Sequence, residues 1–155
     1  MLDRILPSLA GNDYRGHRLG LWLFWPITLL TIVRSCIHVF RVDGGAQSIA
    51  TIPLDTFTQG GGAAVVTVFA LWGLSQLLLG LVYLVVLLRY RALIPLMYLL
   101  LLLEYLGRAA IGAMKPILTM ETPPGARFGT VMIVLSFAGL VLSLRSKDKP
   151  HAPAA

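Results

Sequence analysis

Four stretches of this chain, at about 19–40, 63–88, 92–114 and 127–144, are each apolar over a length that matches the hydrocarbon core of a bilayer. A helix rises about 1.5 Å per residue, so about 20 apolar residues cross roughly 30 Å of lipid. Backbone groups find no water there, and only a helix satisfies them within one segment. Four such runs therefore predict an all-α fold, an integral membrane four-helix bundle. Apolar residues make up 57% of the 155 positions and charged ones only 13%, outside the usual range of a soluble domain. The spans occupy more than half of the chain. What remains, an interfacial N-terminal segment at 1–18 and a tail at 145–155 that reads as disordered, leaves no room for a soluble domain of about 100 residues.

The net charge of +6 and pI near 10.0 raise nucleic acid as a partner. The basic residues, however, flank the apolar runs instead of forming a stripe, so they read as topology determinants and the partner they imply is the lipid bilayer. Arg4, Arg15, Arg18, Arg89, Arg91, Arg145, Lys147 and Lys149 fall on one side, against Arg41, Lys115 and Arg127 on the other. Eight against three predicts N-in/C-in, with both termini cytoplasmic.

Local signals punctuate the spans. Leu2, Ile5, Leu6 and Leu9 recur at helical spacing and predict a short interfacial helix. The first apolar run lacks a small-x-small cleavage site, so it reads as an uncleaved first span, with Pro26 positioned to kink it. The loop at 41–62 places a mildly amphipathic stretch, 49–57, on the membrane surface before a Gly60-Gly61-Gly62 hinge. Arg89-Tyr90-Arg91 is long enough only to reverse direction, which predicts an antiparallel hairpin of spans two and three. Thr122-Pro123-Pro124-Gly125 supplies the last turn.

Function is sought in the ionisable residues inside the spans, each expensive in hydrocarbon without a partner or a wet cavity. Arg34 and His38 are four apart on span one, and Glu104 and Arg108 four apart on span three beside Tyr105. Counting along the helices puts Glu104 near mid-bilayer, Arg108 in the outer half and Arg34 with His38 in the outer third. Gln76 of span two lies near the depth of Glu104. The five residues are expected to converge as a ligand-binding cluster with one positive charge left over. The stripe Gly73, Gln76, Gly80, Tyr83 and the small residues Gly129, Ser136, Gly139 and Ser143 offer close-packing surfaces. A purely structural account also fits: Glu104 neutralises Arg108, Arg34 snorkels to the headgroups, and His38 bonds a backbone group.

Several chemistries fail on counting. Only His38 lies at membrane depth, which removes bis-histidine haem. Cys36 and His38 diverge on a helix, so no metal site is expected, and the lone Cys36 excludes a disulfide or a CxxC redox pair. No phosphate loop, nucleophile elbow or zincin motif occurs, and no cofactor is expected.

The stretch Gly73-Leu-Ser-Gln-Leu-Leu-Leu-Gly80, the basic turn after it and Leu102-Leu-Glu-Tyr-Leu-Gly-Arg108 resemble the small bacterial four-helix membrane proteins grouped with the DoxX-like families. That resemblance covers about half the chain. It implies a four-helix bundle in the bacterial inner membrane and, in some members, association with a larger redox or stress-response membrane complex. The emopamil-binding, sterol-isomerase type of bundle is similar in placing a histidine and acidic groups in a membrane pocket, here His38 and the single carboxylate of Glu104.

Three functional readings follow. The first is a non-enzymatic protein whose outer-half pocket, built by Arg34, His38, Gln76, Glu104 and Arg108, binds a lipid-like or small anionic molecule. A second is an accessory or assembly subunit that presents its helix faces to a membrane-protein partner or to a second copy of itself. The third is a membrane enzyme with isomerase-like acid/base chemistry on an apolar substrate, with Glu104 and His38 as the catalytic pair.

Overall fold

The computed structural model describes residues 2–145, so the expectation of a disordered tail beyond Arg145 lies outside the described residues. Among the described residues five α-helices follow one another: α1 (Leu2–Ile5), α2 (Arg18–Phe40), α3 (Gln59–Arg89), α4 (Ile94–Met114) and α5 (Pro124–Leu144). Four of them are long and apolar enough to cross a membrane. The N-terminal segment, the α3–α4 turn and the end of α5 gather at one end, here the base. The 41–58 loop and the 115–123 connection form the opposite end, the crown.

Small residues decide which helices pair. A Cβ on Gly73 would stand 2.6 Å from His38 Cβ, and one on Gly80 would stand 2.9 Å from Ile32 Cγ1, so this stripe of α3 lies flat against α2. On α2, Thr28, Thr31 and Ser35 return their hydroxyls to carbonyls one turn back at 2.8, 2.8 and 2.6 Å, which hides three polar groups without a partner helix. Gly139 of α5 makes room for the ring of Tyr98 on α4. The expected hairpin of spans two and three is present, joined by the tight turn after Arg89, but its two helices make few contacts. α2 packs on α3, α4 packs on α5, and α2 meets α5, whereas α3 and α4 barely touch.

The core lies towards the base. Phe24, Tyr83 and Tyr98 form an aromatic nucleus with ring centroids 5.4 and 5.0 Å from Phe24, and the Tyr98 hydroxyl donates to the Gly20 carbonyl at 2.7 Å. Below it, the N-terminal segment is helical only over α1, because Pro7 and Gly11 break the periodicity. The segment instead satisfies exposed backbone ends: Arg4 donates to the Leu144 carbonyl, the His17 amide to Leu142 at 3.0 Å, and the Ala92 amide to Gly11 at 3.1 Å.

α2 runs unbroken from Arg18 to Phe40 with Pro26 inside it. One further expectation changes in detail. Gly60-Gly61-Gly62 is no hinge: Thr58 caps α3 by accepting the Gly61 amide at 3.2 Å, which places the three glycines in its first turn. The 41–58 loop also folds inward, burying Ala46 and Ile52.

Candidate functional site

Residues 109–114 at the crown end of α4 are all exposed, and there the bundle opens into a cavity of about 710 Å³. Its walls come from α2, the crown end of α3, α4 and α5, with Ile49 and Ala50 of the loop across the top.

Two arginines reach this cavity from different helices and converge on one indole. The guanidinium carbon of Arg34 lies 5.4 Å from the centroid of Trp72, and that of Arg108 lies 4.5 Å from it. Each is flanked by a second ring, Phe128 at 5.6 Å for Arg34 and Tyr105 at 5.3 Å for Arg108. Such faces attract a cation electrostatically. Glu104 forms an ion pair with Arg108 one helical turn away, and both side chains are largely covered, at 19% and 25% exposed. Arg34 makes no ion pair or hydrogen bond among the described residues. It is half-buried, with the rings of Trp72 and Phe128 beside its guanidinium.

His38 is only 5% exposed and closes the cavity near the crown. Its Nδ1 lies 2.7 Å from the Gly44 carbonyl oxygen, which can only accept, so Nδ1 carries the hydrogen. The turn that delivers this carbonyl needs left-handed backbone at Gly44 (φ +58°) and Gly45 (φ +76°), and a Cβ on Gly45 would crowd the imidazole at 3.3 Å. Asp43 secures the same turn by accepting the Gly45 amide at 3.0 Å and the Ser48 amide at 2.7 Å. Partial burial works against its charge, yet the hydrogen bonds from Ser48 and Gly45, with Arg41 nearby, hold its carboxyl down at about 2.

Across the crown, Thr51 ties the two connections together. Its carbonyl accepts the Met120 amide at 2.9 Å, and its hydroxyl donates to the Glu121 carbonyl at 2.9 Å.

Of the five residues singled out from sequence, Arg34, His38 and Arg108 line the cavity. Glu104 stands behind Arg108 as its counter-ion, and Gln76 is buried on α3 one turn below Trp72, outside the cavity wall. Trp72, Phe69 and Phe128 were not singled out; nothing in their spacing separates them from lipid-facing aromatics. The His38 ring lies 4.7 Å from that of Trp72 at a 41° tilt and meets Phe69 edge-on at 5.9 Å. Among the described residues no group of three or more His, Cys, Asp and Glu side chains is placed to hold a metal. No protein-family profile, curated protein or solved structure matches the chain.

Proposed function

We propose that this chain is a multi-pass protein of the bacterial inner membrane, with its base in the cytoplasm, that binds a lipid-like or small anionic molecule in the crown cavity without transforming it. The observation that carries the reading is Arg34, a guanidinium with no counter-ion among the described residues, at the wall of an apolar cavity. A charge in that position is stabilised when an anionic ligand completes the pair. The basic residues gathered at the base support the orientation. Kinship with the DoxX-like proteins is part of the proposal and rests on the Gly73–Gly80 and Leu102–Arg108 stretches alone.

Native mass spectrometry of detergent-released protein tests it. Wild type is expected to carry a co-purifying anionic species that Arg34→Gln lacks; identical spectra for the two would remove the reading.

The acid/base alternative has less support. His38 Nδ1 is committed to Gly44, the Glu104 carboxylate to Arg108, and no hydrogen bond joins the two side chains. The assembly-subunit alternative draws on one feature: Gly107 on α4 has open space where a Cβ would stand, which leaves room for another helix.

A further inference from the structure

The charge arrangement at the cavity narrows the ligand further. Two guanidiniums stand with one carboxylate, and that carboxylate is committed to Arg108. Among the described residues Arg34 has no ion-pair partner and faces the rings of Trp72 and Phe128. Rings attract a cation but do not cancel its charge. One positive charge therefore remains at the wall, at a depth where a second uncompensated charge of either sign is costly. The cavity volume of about 710 Å³ falls in the range that encloses one drug-sized body, and beyond the polar residues its walls are aliphatic and aromatic side chains such as Leu30, Ile37 and Ile133.

Resting on the pocket reading above, we infer that the ligand is a single-chain amphiphile bearing one negative charge, with its head on Arg34, and that Glu104 restricts the site to a monoanion by neutralising Arg108. A carboxylate head matches the planar fork of a guanidinium. A phosphate monoester brings close to two charges and leaves one unmatched. An uncharged head leaves the charge of Arg34 unmatched.

The test uses the full-length protein in phosphatidylcholine nanodiscs. Trp22→Phe and Trp25→Phe, both at the base, leave Trp72 as the sole indole reporting on the cavity. Three probes share one tail and differ in head: hexadecyl sulfonate, hexadecyl phosphate and hexadecanol. They are titrated at about pH 8.5, above the second phosphate ionisation near 6. The sulfonate is expected to bind about tenfold tighter than either other probe, the scale of one charge-assisted hydrogen bond. In Glu104→Gln the phosphate gains about tenfold on the sulfonate, because two positive charges are then uncompensated. The double variant Glu104→Gln/Arg108→Gln leaves only Arg34 and keeps the monoanion preference, which tests the role of Glu104 even where the single variant does not fold. Equal binding of hexadecanol and sulfonate by the Trp72-only protein with Glu104 and Arg108 intact overturns the charge inference and leaves the pocket reading standing. Tightest binding of the phosphate by that protein overturns the role given to Glu104. Silence of Trp72 towards all three probes removes the pocket reading itself.

Discussion

Arg34 and Arg108, on helices that are not neighbours in the bundle, share one indole: their guanidinium carbons stand 5.4 and 4.5 Å from the Trp72 centroid. Like charges brought to one point repel; Glu104 offsets the charge of Arg108, and the ring that both guanidiniums face adds an attraction to each.

Trp72 is therefore expected to be the most sensitive aromatic at the crown. Each cation–π contact contributes about 0.5–2 kcal/mol depending on desolvation, so Trp72→Leu should destabilise the bundle by about 1–3 kcal/mol, whereas Trp72→Phe keeps a ring and recovers part of the loss. Thermal unfolding in detergent measures both. Equal stability of the Leu variant and wild type would show that the shared ring does not hold the arginines.

The helix pairing makes a sharper contrast at two glycines. A Cβ on Gly139 would overlap the Tyr98 ring, and that ring cannot swing aside because its hydroxyl is anchored on the Gly20 carbonyl. Gly139→Ala is expected to cost about 1–3 kcal/mol by overpacking. Gly107 has open space at the same position, and Gly107→Ala should be neutral or gain up to about 1 kcal/mol of helix propensity. Guanidine-free thermal melts of the two variants side by side decide the point, and a reversed order would contradict the α4–α5 contact.

How much of this was legible in the sequence follows from what each signal depends on. The four spans were, because hydropathy acts on each segment separately. Arg34, His38, Glu104 and Arg108 were, because an ionisable group inside an apolar run is conspicuous on its own. Trp72 and Phe128 were not: an aromatic residue in a span is unremarkable until the rotation of its helix is known, and the rotation of α3 is set by Gly73 lying against His38. The proximity of spans two and three was inferred from a short turn, but a turn fixes only direction, and the contacts of α3 went to α2. Gly60-Gly61-Gly62 read as a hinge because glycine is a poor helix former, and the Thr58 cap overrode that preference.

The Asp43 turn should respond to acid. Its carboxyl is held at about 2, below its ordinary 3.8, so the stabilisation it gives the Gly44–Gly45 turn is fully present above about pH 4 and is lost as pH falls towards 2. Hydrogen exchange at the Gly45 and Ser48 amides is the direct readout. Protection, corrected for intrinsic exchange, should fall over that window in wild type and show no such step in Asp43→Asn. A step of equal size in the variant would assign the acid response to another group.

Orientation is checked with single cysteines in a Cys36→Ser background. A membrane-impermeant maleimide added to spheroplasts is expected to label Thr122→Cys at the crown and to leave Asn12→Cys at the base unlabelled until the membrane is opened. Labelling of Asn12→Cys in sealed spheroplasts would invert the proposed topology and move the cavity to the cytoplasmic half.

The two arginines should differ when each is removed in turn. Arg108 and Glu104 form a pair, and loss of one partner strands the other: a fully buried carboxylate left alone costs about 3–5 kcal/mol, and one 19% exposed costs less. Arg108→Gln is therefore expected to destabilise the ligand-free protein, and Glu104→Gln added to it should restore most of the loss. Arg34 has no counter-ion to strand and forfeits only its contacts with Trp72 and Phe128, so Arg34→Gln should cost the ligand-free protein no more than about 1 kcal/mol, less than Arg108→Gln, while abolishing the stabilisation that an anionic amphiphile confers. Thermal melts with and without hexadecyl sulfonate separate these effects. If Arg34→Gln loses stability as Arg108→Gln does, Arg34 is a structural member of the cluster, and its role as the anion contact fails.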